Sequence, residues 1–417
     1  MIVQLKSGGD NMNKKEVLKN TGKVIGAIIS AVVLFFITIF CWVLLAFGSV
    51  HADFYSDILI TAAVLIEIGI IGTLWGWIKK KFFYIPLCAA LGICIIVCCV
   101  FSGYQNYIDN IPTVGENDNL LASYAPYAEN SKTVTLGEES DLILTENLPV
   151  MDGATALYPV YSAFAKAVYP QKELENVMVY AWGTSQHSES AYLRCYTTTG
   201  AYENIISGEN DIIFAALPSE KQKKAAEEKG VELIYTPIGK EAFVFFVNAK
   251  NPIDNITVDE IQKIYSGEIT DWSELGIQNL GQIRAFQRDE GSGSQSTLEK
   301  LMEGKNLITP PKENVIAGMG GIIERAADYK NYKNAIGYSF RFYSTEMVQN
   351  SQIKLLSVNG VYPNLENIKN GTYPLASYFY AVTRSDADEN VLKLLEWIKG
   401  EQGQKIIEMT GYAPLDK

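Results

Sequence analysis

Three apolar stretches constrain this chain before anything else. Val24–Val50 carries no charge, Ile58–Ile78 carries only Glu67, and Phe82–Phe101 carries none. Each is long enough to cross a bilayer as a helix, which takes about 20 apolar residues. A single run of this kind reads equally as a buried core helix. Three in succession read as a membrane module. The first run is too long for the core of a signal peptide, and no convincing cleavage site accompanies it. Spans are therefore expected at about 24–50, 58–78 and 82–101.

Lysine placement sets the orientation. Lys14, Lys15, Lys19 and Lys23 precede the first run, and Lys79, Lys80 and Lys81 separate the second from the third. The link between the first two, His51–Asp57, has no Lys or Arg and carries Asp53 and Asp57. The positive-inside rule then expects a cytoplasmic N-terminus and residues 102–417 outside the cell. Glu67, alone among apolar residues, is a functional candidate or the partner of a neighbouring helix. Cys41, Cys88, Cys94, Cys98 and Cys99 lie in the runs, so Cys195 has no partner for a disulfide in the outer part. No cysteine has the setting of a lipoprotein cleavage site, and no Cys/His cluster has zinc spacing. Translation is expected to begin at Met12, where Met12-Asn13-Lys14-Lys15 is an ordinary membrane-protein start, rather than at Met1.

Charge divides the chain in the same place. Residues 1–101 hold eight lysines and five acids, which leaves 27 basic and 42 acidic residues, a net of −15, for residues 102–417. No basic surplus is available for nucleic acid. Residues 102–139 are polar and aperiodic and read as an extracytoplasmic linker that packs in part on the domain behind it. From about Ser140, strands alternate with helices. Strands are expected at 177–181, 211–215, 242–247 and 283–287, and helices at 201–207, 219–229, 258–266, 295–302, 391–400 and 402–409. That alternation implies an α/β fold on a parallel sheet.

Few residues offer chemistry. The outer part has one histidine, His187, in a Ser/Gly-rich stretch that reads as a surface loop. No phosphate loop or dinucleotide fingerprint stands in a strand–helix context. Three junctions stand out because each leads into a helix: Asp152-Gly153-Ala154-Thr155-Ala156, Thr197-Thr198-Thr199-Gly200, and Arg288-Asp289-Glu290-Gly291-Ser292-Gly293-Ser294. A helix start presents unpaired N–H groups and partial positive charge, glycine lets backbone approach closely, and hydroxyls add donors. Together they read as an oxyanion site, with Arg288 as a bidentate clamp. Separately they read as ordinary helix caps and a flexible turn.

Over about 148–415 the chain resembles the phosphate-binding proteins of high-affinity phosphate ABC transporters, within the type II periplasmic-binding-protein superfamily. The resemblance rests on Asp152-Gly153-Ala154-Thr155-Ala156-Leu157-Tyr158-Pro159, on Ile264-Tyr265-Ser266-Gly267-Glu268-Ile269-Thr270-Asp271-Trp272 and on Gln287–Gln295. It extends to Met319–Ile323, Asn334–Tyr338 and Thr410–Leu415. It implies two α/β lobes closing on a dehydrated anion, with no reaction catalysed and no cofactor or metal. Carried over by position, Thr155, Ala156 and Thr198 of the first lobe and Arg288, Ser292, Gly293 and Ser294 of the second bind the ligand. Asp289 or Glu290 would orient Arg288. The expected first lobe spans about 148–237 and 362–417, the second about 242–355, with hinges near 238–241 and 356–361.

The resemblance also implies an aspartate after the 211–214 strand that accepts a hydrogen bond from protonated phosphate and repels sulfate. Ala216 stands there, which leaves the choice of anion open unless His187, Glu189 or Glu290 substitutes. Arg341 reads as a surface residue that is also within reach of a cleft. The implied partners are phosphate or a similar oxyanion, permease subunits with a separate ATPase, and the lipid bilayer. The alternative is a membrane-bound anion sensor signalling through a partner protein.

Overall fold

The computed structural model describes residues 10–48, 52–114, 120–182, 185–311, 314–316 and 329–416. The chain divides into two units, Met1–Ile111 and Pro112–Lys417. Met1–Gly9, before the expected start at Met12, and Met319–Ile323 lie outside the described residues.

The first unit is three helices, Asp10–Gly48, Ala52–Leu74 and Lys81–Asp109. Each contains a segment long and apolar enough to cross a membrane. The second helix begins at Ala52 and takes in the acids expected in the link. It ends at Leu74, earlier than expected, and Gly76 just beyond it adopts φ 77°, a left-handed conformation that an α-helix cannot continue through. The third runs past Phe101 to Asp109. Ser30 Oγ donates to Glu67 Oε1 at 2.9 Å, so the one acid in these apolar segments pairs with the neighbouring helix.

In the second unit, local chemistry sets several helix ends. Thr257 and Glu260 form a reciprocal capping box at the start of Val258–Ser266, and Gly267 at φ 81° closes it. Ser219 and Gln222 do the same for Glu220–Glu228. The expected strand at 177–181 appears as Met178–Trp182, paired antiparallel with Ser185–Glu189.

The main sheet has seven strands. Six lie in the order Met151–Gly153, Ile212–Ala215, Ala376–Arg384, Leu233–Asn248, Ala335–Phe340, Arg284–Ala285, and Ile353–Leu355 pairs separately with the long strand. The outermost pairs are parallel. The central pairs are antiparallel, which corrects the expectation of a parallel sheet. The reason is the route of the chain. It passes from one lobe to the other along the 16-residue strand Leu233–Asn248 and returns along Ala376–Arg384, so the two crossing strands run in opposite directions.

Two lobes form around separate cores. Tyr161, Phe164, Phe214 and Ile406 centre the first, extended by Ile205 and Ile213. Phe243, Phe245, Tyr265, Trp272 and Tyr338 centre the second. Leu365, Ile368 and Tyr373 also belong to the second core. Residues 362–375 therefore stay in the second lobe, and the return crossing lies at Ala376–Phe379 rather than at 356–361. Segment Phe342–Met347 dips back into the first core.

The residues read as a linker, 102–139, pack on the domain behind them, as expected in part, and more firmly than their composition implied. Residues 102–109 complete the third helix. Thr113–Val114 pairs antiparallel with Tyr329–Lys330 on the second lobe. Beyond it Leu120, Leu121, Tyr124 and Leu136 are buried in the first core. Tyr124 carbonyl accepts hydrogen bonds from Thr133 Oγ1 and Ser162 Oγ, each at 2.6 Å. The polar composition concealed these few apolar anchors. Leu121 is 0% exposed. Leu121→Ala is expected to cost about 2–5 kcal/mol, the usual range for emptying a core leucine site. Chemical denaturation of the detergent-solubilised chain measures it, and an unchanged midpoint would leave the segment a loose linker.

Candidate functional site

Asp152 is the organising residue of the first lobe's side of the site. It is fully buried, and four N–H groups donate to its carboxylate. They are Gly153 N at 2.7 Å, Tyr196 N at 2.8 Å, Asn210 Nδ2 at 2.8 Å and Asn204 Nδ2 at 3.4 Å. The carboxylate thus ties the end of strand Met151–Gly153 to the beginning of helix Thr197–Ser207. Gly153 permits the strand's closeness, because a Cβ there would meet the Phe214 carbonyl at 2.4 Å. Thr197 is held at φ 61°, a conformation that strains a β-branched residue by about 1–3 kcal/mol. That strained turn delivers Thr198 and Thr199 to the cleft.

The second lobe contributes the start of helix Gly293–Leu301. Ser292 caps it by accepting from Gln295 N. Gln295 is buried, and its Oε1 accepts from Arg288 N at 3.0 Å and from the Tyr338 hydroxyl. Tyr338 Oη accepts from Arg288 N at 2.9 Å. These bonds fix the backbone from which Arg288 projects. The Arg288 guanidinium lies beside the Tyr329 hydroxyl, where it partly offsets the upward shift that burial imposes on that phenol.

The two halves meet. Thr155, Ala156, Thr198, Arg288, Ser292, Gly293 and Ser294 line one cavity of about 320 Å³, together with Asp289 and Glu290. The nine residues expected to bind the ligand or orient Arg288 are therefore brought together. Ala154, Thr197, Thr199, Glu203, Ser339, Phe340 and Tyr343 complete the lining. The two threonines belong to a junction already noted, whereas Glu203, Phe340 and Tyr343 had no local signal. Contacts also cross between lobes at the rim. Gln222 Nε2 donates to Gly291 carbonyl at 3.2 Å, and Lys221 stands 3.7 Å from Glu290. Deeper in, the lobes come close at Gly293, where a Cβ would lie 3.0 Å from Thr198 Oγ1 and that hydroxyl would have to give way.

Other candidates fall elsewhere. His187 is fully buried on a hairpin, stacked on Tyr180 at 5.7 Å, and burial lowers its pKa, so it is a core residue rather than a surface loop residue. Glu189, on the same hairpin, does not line the cavity. Arg341 is neither free surface nor cleft: its Nη1 donates to Gly411 carbonyl at 3.2 Å and its Nη2 faces Glu346 at 3.4 Å. Cys195 is buried and its thiol is pushed up to about 12, mainly by burial.

A model described as a PBP superfamily domain matches residues 145–401. The chain belongs to the PBP superfamily. Among its relatives, the phosphate-binding protein PstS of Bacillus subtilis is 26% identical over 274 residues, covering 64% of this chain and 80% of that protein. Protein SphX of Synechococcus elongatus is 24% identical over 286 residues, covering 64% and 77%. Among solved structures, an ABC-type phosphate transport receptor from Vibrio cholerae aligns at 20% identity and a TM-score of 0.46, covering 64% of this chain and all of that one.

Asp152 makes the fold pH-sensitive. Burial raises its pKa to about 6 against the opposing hydrogen bonds. A raised folded pKa favours the protonated form, so its contribution is fully present below about pH 4 and is lost as pH rises through about 6. Asp152→Asn is expected to remove about 3 kcal/mol of stability change across that window. Thermal unfolding followed between those pH values checks this, and parallel wild-type and variant curves would exclude it.

Proposed function

We propose that residues 112–417 capture phosphate or a related tetrahedral oxyanion outside the cell and present it to an ABC permease powered by a separate ATPase. The three helices hold the protein in the membrane as a multi-pass anchor. The N-terminus and Lys79–Lys81 face the cytoplasm, an orientation supported by lysine placement. One observation supports the ligand assignment: residues of both lobes that carry hydrogen-bond donors line a single cleft. Thr155, Ala156 and Thr198 lie at helix starts on one side, with Ser292–Ser294 and Arg288 on the other. Such a set suits an anion stripped of water. The names of the relatives support phosphate in particular. The protein catalyses no reaction in this reading, with the anion released unchanged.

The acidic surface does not oppose this. Screening confines surface charge to about 8 Å at physiological salt, so the local donors decide affinity.

A second reading, an anion sensor acting through a partner protein, is favoured by the path of residues 112–148. Thr113–Val114 pairs with the second lobe, whereas Leu120–Leu144 packs into the first. The stretch following the third helix is thus fastened to both moving parts, as a relay of closure requires.

Titration of the detergent-solubilised chain with phosphate and sulfate by calorimetry tests the binding. Phosphate is expected to bind, and Arg288→Ala to weaken it by about 2–5 kcal/mol, the usual effect of removing one partner of a buried charge pair. Absence of heat with every oxyanion would sink both readings.

A further inference from the structure

The first unit has one strongly charged end. Lys19 and Lys23 lie on the first helix, and Lys79, Lys80 and Lys81 lie where the second helix turns into the third. The fold gathers them. Gly26 packs against Leu74 at the end of the second helix, where a Cβ on the glycine would meet the leucine at 3.6 Å. Lys23, almost one turn before Gly26, sets its Nζ 5.7 Å above the Trp75 ring. Two segments distant in the chain thus bring their cations to one level. The other end of the same helices carries acids instead, Asp53, Asp57 and Asp109.

The charge is not answered within the chain. Among the described residues, no carboxylate forms an ion pair with any of these five lysines. Lysines of the second unit differ: Lys240, Lys263 and Lys405 reach carboxylates at 2.6, 2.7 and 2.8 Å. The third helix adds to the imbalance. Lys80 is its N-cap and Lys81 its first residue, with no side-chain cap and no acid in the first turn. A helix start is already partly positive, so lysine there is unfavourable unless an anion comes from outside.

The surroundings say which anion. Trp75, Trp77 and Phe82 are exposed beside the lysines. Tryptophan at the end of a membrane helix settles in the headgroup layer. The turn spans only Trp75–Lys80, too short to carry its lysines away from that layer. A nucleic acid or an acidic protein would have to reach into it, whereas an anionic phospholipid is already there.

We propose that Lys19, Lys23 and Lys79–Lys81 form a docking surface for anionic phospholipid headgroups, whose phosphates bridge the first helix and the turn. The proposal rests on the membrane-anchored reading above. About four to eight basic residues beside a membrane helix suffice for such recognition. The headgroups offset the mutual repulsion of the lysines and meet the third helix at the end its dipole makes positive.

Tryptophan quenching in nanodiscs tests the assignment on the full chain. A Trp42→Phe background leaves Trp75 and Trp77 as the tryptophans of the first unit, both at the lysine end. Trp182, Trp272 and Trp397 belong to the second unit and add a background common to both lipids. Brominated phosphatidylglycerol is expected to quench more than brominated phosphatidylcholine at equal mole fraction. The difference corresponds to about fivefold tighter association, or about 1 kcal/mol, and it fades as salt rises. With all five lysines changed to glutamine, the two lipids quench alike, and with all five changed to arginine the preference returns. Equal quenching while the lysines are present, or a preference that survives the glutamine changes, overturns the proposal. If the glutamine variant does not insert or fold, the salt titration decides, and a preference indifferent to salt overturns it. A chain that stays soluble without detergent or lipid removes the membrane reading itself, without reference to the lysines.

Discussion

The backbone hydrogen bonds between Leu233–Asn248 and Ala376–Arg384 hold the second unit together. These strands cross from one lobe to the other side by side, and they pair from Leu233↔Arg384 to Ala242↔Ala376 with a register shift between Phe379 and Tyr380. Phe243–Val247 beyond the crossing belongs to the second core, while Leu233 and Tyr235 before it pack on the first lobe. A hinge built as a sheet can flex without breaking its ladder. It also sets Glu241 and Ser377 opposite each other at the point where the lobes meet.

The charged side chains lining the cleft beside that crossing are net negative and do not by themselves attract an anion. Arg288 is accompanied by Asp289, Glu290 and Glu203 on the lining. In the proposed reading attraction comes from short-range elements: amides at helix starts, hydroxyls, and one guanidinium whose backbone is fixed by Gln295 and Tyr338. Preorganisation replaces charge. Asp152 serves this on the first lobe by holding the turn in which Thr197 is strained, and the Gln287–Gln295 contact serves it on the second. Both sets of supporting bonds are partly or fully buried, which strengthens them and makes an unmet partner costly.

Much of this was legible in the linear chain, and the limits have physical causes. The helix-start junctions were readable because glycine, hydroxyl and arginine occur there at short spacing, and all nine named residues line one cavity. Sheet direction was not readable, because alternation of strands and helices does not say that a strand returns along its neighbour. The 102–139 segment misled because composition averages over residues: Leu120, Leu121 and Leu136 are few, yet each fills the first core. His187 misled in the same way, since its polar neighbours hid the aromatic stack with Tyr180.

The sequence by itself determined three membrane-length helices, the inside–outside bias of their lysines, and membership of the outer part in a two-lobe α/β family. Those properties depend on local runs, on charge and on short motifs, which need no distant partner. The tertiary structure alone decided where the chain crosses between lobes, that residues 112–148 fasten to both, and that three helix-start junctions far apart in the chain line one cavity. Each of these depends on contacts between residues tens to hundreds of positions apart, and no local pattern in the chain encodes them.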